Sequence, residues 1–272
     1  MKTLTDQEFE LFRVYIKKRF GINLSDEKKS LIYSRLRSLV EKHNLATFKD
    51  YYEMLQKDKD TGITLEFINK ITTNHTFFMR EKEHFDYLSR VVFPALEQRH
   101  QGTKDIRLWC AACSSGEEAY TLQILLQEYF ANKGNWNTEM LATDISNNVL
   151  TKAYRGIYSN EAIKELPETW VKKYFKKHDD HHMEAVDTLK KNITFTRFNF
   201  IEDKFSFKKP FQVIFCRNAM IYFDAQTRST LVNQFYNVTE KDGYLFIGQS
   251  ESLGYADTKY EYAMPAVYKR PH

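Results

Sequence analysis

The sequence predicts an all-α N-terminal domain followed by a doubly wound α/β domain, its sheet covered by helices on both faces. Three observations predict this. Through residue 71 the apolar positions recur at helical spacing, and no strand pattern interrupts them. After residue 100 short runs rich in β-branched and aromatic residues alternate with helical stretches, as in an α/β sheet. Between the two, "TTNHTFFMR" (72–80) breaks the helical period and reads as a linker. The division is therefore residues 1–71, a linker and connecting helix over 72–100, and a sheet domain over 101–272.

The N-terminal elements follow from caps and periodicity. Thr5-Asp6-Gln7-Glu8 is a capping-box pattern, with Phe9, Phe12 and Ile16 on one face and Gly21 as the stop. Ser25 and Asp26 open a second helix that turns Ile32, Leu36, Leu39 and Val40 inward. Thr47 caps a third carrying Tyr51, Tyr52 and Leu55, and a fourth carries Leu65, Ile68 and Ile71. A long helix runs from about Glu83 to His100, kinked at Pro94.

In the second half "DIRLWCA" (105–111) reads as a strand, Glu117–Phe130 as a helix, and "EMLATD" (139–144) as the next strand. Ser146 caps a helix reaching Tyr154. "FQVIFCR" (211–217) is an apolar strand, followed by a helix from Ala225 to Val238. "GYLFIGQS" (243–250) and "YEYAMPAVYKR" (260–270) read as one closing strand each. The stretch at about 160–198 fits the alternation less well. There Pro167 starts a short helix with Trp170, Tyr174 and Phe175, and "MEAVDTLKKNITFTRF" reads as an antiparallel hairpin, giving a small β insertion.

Composition narrows the function classes. With 42% hydrophobic and 28% charged residues the chain suits a soluble globular protein, and its 38 Phe and Tyr residues predict an aromatic core. No apolar run is long enough to span a membrane, and the charged start lacks a signal peptide, so a cytoplasmic location is expected. Three cysteines do not make a disulfide framework. A net charge of +4 spread over 272 residues is not a nucleic-acid patch.

The stretch "LWCAACSSGEEAY" (108–120) has two readings. Cys110 and Cys113 form a Cys-x-x-Cys pair, but Cys110 falls on an apolar strand and two glutamates follow, which disfavours a reactive thiolate. Alternatively, Cys113–Glu118 is a strand-to-helix turn at the sheet edge where open α/β folds bind ligands. One glycine and two acids suit a cationic head better than a pyrophosphate. S-adenosylmethionine has such a head, and Asp144 ends the next strand, at about the spacing of a ribose-binding acid.

At this point several stretches converge. "TTNHTFFMRE", "WCAACSSGEEAYTL", "ATDISNNVLTKAYRGIY", "FQVIFCRNAMIYFD" and "GYLFIGQSESL", in this order, resemble the CheR family of chemoreceptor glutamate methyltransferases. Ala119 stands where that family usually has proline. The resemblance implies a Rossmann-like methyltransferase sheet that uses S-adenosylmethionine, releases S-adenosylhomocysteine and needs no metal. It implies that Asn74, Thr76 and Arg80 contact the cofactor from the linker, Glu118 its amino group or the nearby turn, and Asp144 its ribose. It puts Asn199 and Phe200 beside the adenine, Arg217 and Asn218 on the cofactor floor, and Tyr222 at the methyl-transfer site. Arg80 and Tyr222 are the catalytic candidates, and whether Arg80 holds the cofactor's carboxylate or the acceptor's stays open.

The resemblance also implies a partner, the cytoplasmic helical domain of a methyl-accepting chemoreceptor, docked on Lys28, Arg35 and Lys42 of the second helix. Read alone, such a run of cations is more often a solvated face, and only the resemblance brings the docking reading level with it. Some family members grip a receptor C-terminal peptide with a glycine-bearing loop; "KKHDDHHMEAVDTL" lacks glycine, which argues against tethering. "HDDHH" (178–182) is too contiguous for a metal site. A monomer is expected. The rival readings are a same-fold methyltransferase acting on another protein and a non-catalytic S-adenosylmethionine-sensing module.

Overall fold

The computed structural model describes residues 3–58, 62–254 and 258–272. Four helices come first: α1 (Asp6–Phe20), α2 (Lys29–Lys42), α3 (Phe48–Lys57) and α4 (Ile63–Ile71). A 3₁₀ turn at Asp26–Lys28 leads into α2. Thr5 and Glu8 close the predicted capping box on α1, and Thr47 closes a second one on α3 with Asp50. Gly21 ends α1 at φ 73°, a left-handed value at which a Cβ would also strike Ile201. The predicted inward residues share one core, with two exceptions. Tyr52 packs only at its margin, and Leu65 is half-buried while Phe67 is fully buried. Thr64, Phe67, Ile68 and Ile71 lie on one face at helical spacing, and Leu65 is rotated off it.

The connecting helix is interrupted as expected. α5 (Lys82–Tyr87) passes through a π turn (Leu88–Val92) into α6 (Phe93–His100), with Pro94 in its first turn. The widened turn makes room for a proline ring that lacks an N–H.

The sheet domain then runs β1 (Leu108–Ala111), α7 (Glu117–Phe130), β2 (Met140–Asp144), α8 (Asn147–Arg155), β3 (Ile157–Ser159), α9 (Glu168–Tyr174), β4 (Phe175–Lys177), β5 (His182–Ala185), α10 (Asp187–Lys190) and β6 (Ile193–Arg197). It continues through β7 (Phe211–Cys216), α11 (Ala225–Val238), β8 (Thr239–Ile247), β9 (Glu261–Met264) and β10 (Val267–Lys269). Seven strands pair in the order β6-β2-β1-β7-β8-β10-β9. The first five are parallel, and β10 and β9 are antiparallel. Along β1 the side chains alternate: Leu108 and Cys110 join the core with Phe85 and Leu122, and Trp109 and Ala111 the core with Leu231 and Phe235. Both faces are thus covered, as parallel strands require.

Two strand expectations are corrected. "MEAVDTLKKNITFTRF" is not a hairpin: Met183–Ala185 belongs to β5, the middle of a three-stranded antiparallel sheet with β3 and β4, while Ile193–Arg197 pairs in parallel with β2 at the edge of the main sheet. The short helix α10 between them redirects the chain, which local β propensity does not report. Residues 260–270 are two strands, β9 and β10, because the chain reverses around Ala266 at φ 60°.

Candidate active site

The strand order reverses between β1 and β7, and there the parallel strands end in a cavity of about 420 Å³. Such a switch point is where open α/β sheets bind ligands. The turns after β1, β2, β6 and β7 line it, the linker 72–80 crosses it, and residues from Phe20 to Arg35 close it from the helical domain. Asn74, Thr76, Arg80, Glu118, Asp144, Asn199, Phe200, Arg217, Asn218 and Tyr222 all line this one cavity.

On the β1–β2 side the polar group is held by backbone. Asp144 is buried, and its two oxygens accept from the N–H groups of Ser114 and Ser146, each at 2.9 Å. Burial raises its carboxyl pKa, and those N–H groups oppose the rise. The turn that brings Ser114 there is tight, with Ala112, Ser114 and Gly116 all at positive φ. Gly116 is required by packing: a Cβ would meet the Tyr158 hydroxyl at 2.8 Å and Ala153 at 2.9 Å. Cys110 and Cys113 are fully buried and burial pushes both thiols well above their usual range, so neither is a redox nucleophile.

On the β7–β8 side the polar groups are held by side chains. Arg217, buried at the end of β7, donates from Nη1 to Glu118 at 2.9 Å, pairs through Nη2 with Glu81 at 3.0 Å, and bonds the Arg80 carbonyl. Glu81 also accepts from Asn218 Nδ2 at 3.3 Å and from the Gln249 N–H at 3.1 Å. Burial pushes Glu118 above the usual carboxylate range, with Arg217 pulling against it. At Glu81 burial pushes the same way, but Arg217, Asn218 and Gln249 outweigh it and hold the carboxyl low. Asn218 sits at φ 58°, with its N–H on Glu251, which also accepts from Ile221 at 3.0 Å and Gly248 at 2.6 Å. A Cβ at Gly248 would come within 2.9 Å of the Asn218 nitrogen, so only glycine leaves that turn in place.

The remaining candidates fall between these walls. Arg80 donates to the His75 carbonyl at 2.9 Å and lies over the Phe77 ring. Asn199 is buried, reaching the Arg19 carbonyl at 2.9 Å, so it fastens the helical domain as well as lining the cavity. Phe200 lines the cavity and packs edge-on against Trp109 and Phe235, so it is both core and wall. Tyr222 is partly exposed, and its carbonyl accepts from the Asn23 N–H at 2.7 Å, beside an Ile22–Phe223 bridge that ties the helical domain across the opening. The three cations expected to dock a partner separate. Lys28 lies in the 3₁₀ turn and lines the cavity. Arg35 lines it too, bonding the Ile71 carbonyl and the Thr73 hydroxyl. Lys42 lies away from it and pairs with Glu66 at 2.6 Å. Ser146 is at the head of α8 without capping it; its hydroxyl goes to Asn69 of α4 at 2.7 Å.

Glu81, Glu251 and Gln249 escaped residue-by-residue reading. All three stand inside the quoted stretches "TTNHTFFMRE" and "GYLFIGQSESL", but nothing local signals partners over 130 or about 30 positions away. Chemically, two acids on one guanidinium suit a cation, Asp144 suits hydroxyls, and Phe200 offers an aromatic wall. That set fits S-adenosylmethionine.

Comparison with known proteins agrees along the whole chain. Residues 7–72 match the CheR methyltransferase all-alpha domain and residues 74–268 the CheR methyltransferase SAM binding domain. The chemotaxis protein methyltransferase of Borreliella burgdorferi is 42% identical over 270 residues, covering 98% of this chain and 95% of that one. That of Escherichia coli is 32% identical over 269 residues, covering 97% and 91%, and that of Salmonella typhimurium 34% over 254 residues, covering 92% and 85%. The chain belongs to the CheR family of S-adenosylmethionine-dependent chemotaxis methyltransferases.

Proposed function

We propose that the cavity aligns S-adenosylmethionine with a glutamate side chain of a bacterial chemoreceptor, and that the chain works as a protein-glutamate O-methyltransferase. The observation that carries the reading is the convergence of all ten cofactor and catalytic candidates on one cavity at the sheet's switch point. When bound, the cofactor supplies an electrophilic methyl on a sulfonium. The chain's residues then have little proton chemistry to do, because a glutamate with pKa near 4.3 is already ionised at neutral pH. Alignment and exclusion of water supply the acceleration.

Asp144 takes the ribose hydroxyls, and Asn199 and Phe200 flank the adenine. Glu118, with Arg217 and Asn218, forms the floor under the charged head, while Asn74 and Thr76 close the linker over it. Arg80 is the one linker cation on the cavity wall, suited to pair with a carboxylate. Tyr222, beside the opening, orients the acceptor.

The acceptor lies on the receptor's cytoplasmic helical domain, docked at Lys28 and Arg35 beside the opening, with Lys42 farther along the same helix. The chain acts as a cytoplasmic monomer, with residues 1–71 covering the cofactor cleft of residues 101–272. Among the described residues no helix is long and apolar enough to cross a membrane. The glycine-free turn between β4 and β5 (Phe175–Ala185) does not grip a receptor tail. The test is methyl transfer from labelled S-adenosylmethionine to receptor cytoplasmic fragments, followed by mild base. Label released as volatile methanol is expected; base-stable label, or none, overturns the reading.

A further inference from the structure

Glu81 does not line the cavity, yet it is the carboxylate around which the β7–β8 side is organised. Residue 81 sits at φ 57° and Met79 at φ 58°, left-handed values that need a surrounding structure to hold them. Arg217 provides that hold by gripping the Arg80 carbonyl and the Glu81 carboxylate together.

The charge count gives this clasp a consequence. Arg80, on the cavity wall, acts on Glu118 as Arg217 does, so these two cations face one cavity carboxylate. Glu81 adds a second carboxylate to the Arg217 guanidinium and balances a group that would otherwise carry a surplus positive charge. The other buried acids nearby are already matched by backbone N–H groups, Asp144 by two and Glu251 by those of Asn218, Ile221 and Gly248. The Glu81 carboxylate sits directly behind Arg217 and Asn218, which line the cavity. The substrate cofactor and its product differ by a methyl and by the sulfonium charge. A carboxylate there cancels positive charge that would otherwise repel the sulfonium, and so favours the charged member of that pair.

We propose that Glu81 is a positioning residue whose charge raises the affinity of the cavity for S-adenosylmethionine relative to S-adenosylhomocysteine. This rests on the reading that the cavity holds the cofactor. A merely structural brace would affect both ligands alike, so the ratio of their dissociation constants is the measure.

The test is calorimetric binding of the two ligands to the wild-type chain, Glu81→Gln, Glu81→Asp and Asp144→Asn. Removing one charge near a second across a partly dry site is expected to weaken S-adenosylmethionine on the order of tenfold more than S-adenosylhomocysteine in Glu81→Gln. Glu81→Asp keeps the charge, so both affinities drop while their ratio stays at the wild-type value. Equal weakening of the two ligands in Glu81→Gln, or a shifted ratio in Glu81→Asp, overturns the proposal. If circular dichroism shows Glu81→Gln unfolded, Gln249→Lys decides instead, because it sets a cation beside Glu81 and leaves the backbone bond to that carboxylate in place: a ratio shifted toward S-adenosylhomocysteine supports the proposal, and an unmoved ratio overturns it. Asp144→Asn separates the two readings. If it weakens neither ligand, the cavity assignment fails; if it weakens both while the Glu81→Gln ratio is unmoved, only the Glu81 inference fails.

Discussion

On one side of the cavity Asp144 is held by backbone N–H groups of Ser114 and Ser146; on the other, Arg217 and Asn218 are held by the carboxylates of Glu81, Glu118 and Glu251. Backbone donors persist whatever side chain a neighbour carries. Side-chain donors vanish with one substitution and leave a buried charge behind. The first side should therefore tolerate mutation in stability terms and respond mainly in ligand affinity. The second should lose both together.

The largest effect tests that contrast at Arg217. Replacing it with methionine strands Glu118 and Glu81 without their common cation, in a place where Arg217 itself is only 5% exposed. Breaking a buried pair by removing one partner costs about 3–5 kcal/mol. Urea unfolding of Arg217→Met should show a loss of that order. Adding Glu81→Gln and Glu118→Gln to the same chain should recover part of it. A loss no larger than that of a surface arginine would break the comparison.

A second test on the same side uses pH. His84 is buried behind Arg217, and its Nδ1 lies 3.4 Å from Glu81. Burial, and then the Arg217 charge, lower its pKa to about 4, against a pull from Glu81. The unfolded imidazole takes a proton near pH 6.5 while the folded one does not until about pH 4. Stability from this group is therefore full above pH 6.5 and lost as pH falls toward 4. The integrated loss is at most about 3 kcal/mol. His84→Leu removes the titration, so the stability gap between wild type and variant should change by up to that amount between pH 7 and pH 4. A parallel pair of pH curves would count against a buried neutral His84.

The same contrast explains what the sequence made legible. Helix α7 was read as it stands and helix α11 from Ala225 to about its last residue, because helical periodicity is local. Asp144 was singled out, and it does line the cavity, because its place at a strand end, one helix after the turn at Cys113–Glu118, is a spacing. Glu81 and Glu251 were not singled out, because their roles are made by contacts with Arg217, Asn218 and Gly248 that only the folded sheet supplies. The misread strand at 193–197 has the same cause: its partner is β2, some fifty residues earlier, and nothing in its own alternation says which sheet it joins.

A smaller stability effect is expected on the first side. Asp144→Asn keeps one acceptor for one of the two N–H groups and turns an amide N–H toward the other. The lost bond costs about 1–2 kcal/mol, offset in part because burial already penalises the carboxylate charge. Thermal unfolding should thus move little, while calorimetry should show a large loss of S-adenosylmethionine affinity. If Asp144→Asn were instead as destabilising as Arg217→Met, the two sides would not differ in the way argued.

The smallest expected effect concerns how the helical domain is held over the sheet. Ser146 has the position of a helix cap but spends its hydroxyl on Asn69, whose Oδ1 also lies 3.5 Å from the Asn148 N–H. A single neutral hydrogen bond between polar side chains contributes about 1 kcal/mol or less. Ser146→Ala leaves the Ser146 N–H on Asp144, so the Asp144 side of the cavity keeps its backbone bond. The variant should therefore lose under about 1 kcal/mol of stability and keep its cofactor affinity within a factor of two or so, since the cost falls on the domain contact alone. Hydrogen exchange should locate the loss as faster exchange in α4 and the first turn of α8, with β1 and β7 unchanged. Faster exchange in β1 would mean that the Asp144 side depends on side-chain contacts after all, as the Arg217 side does.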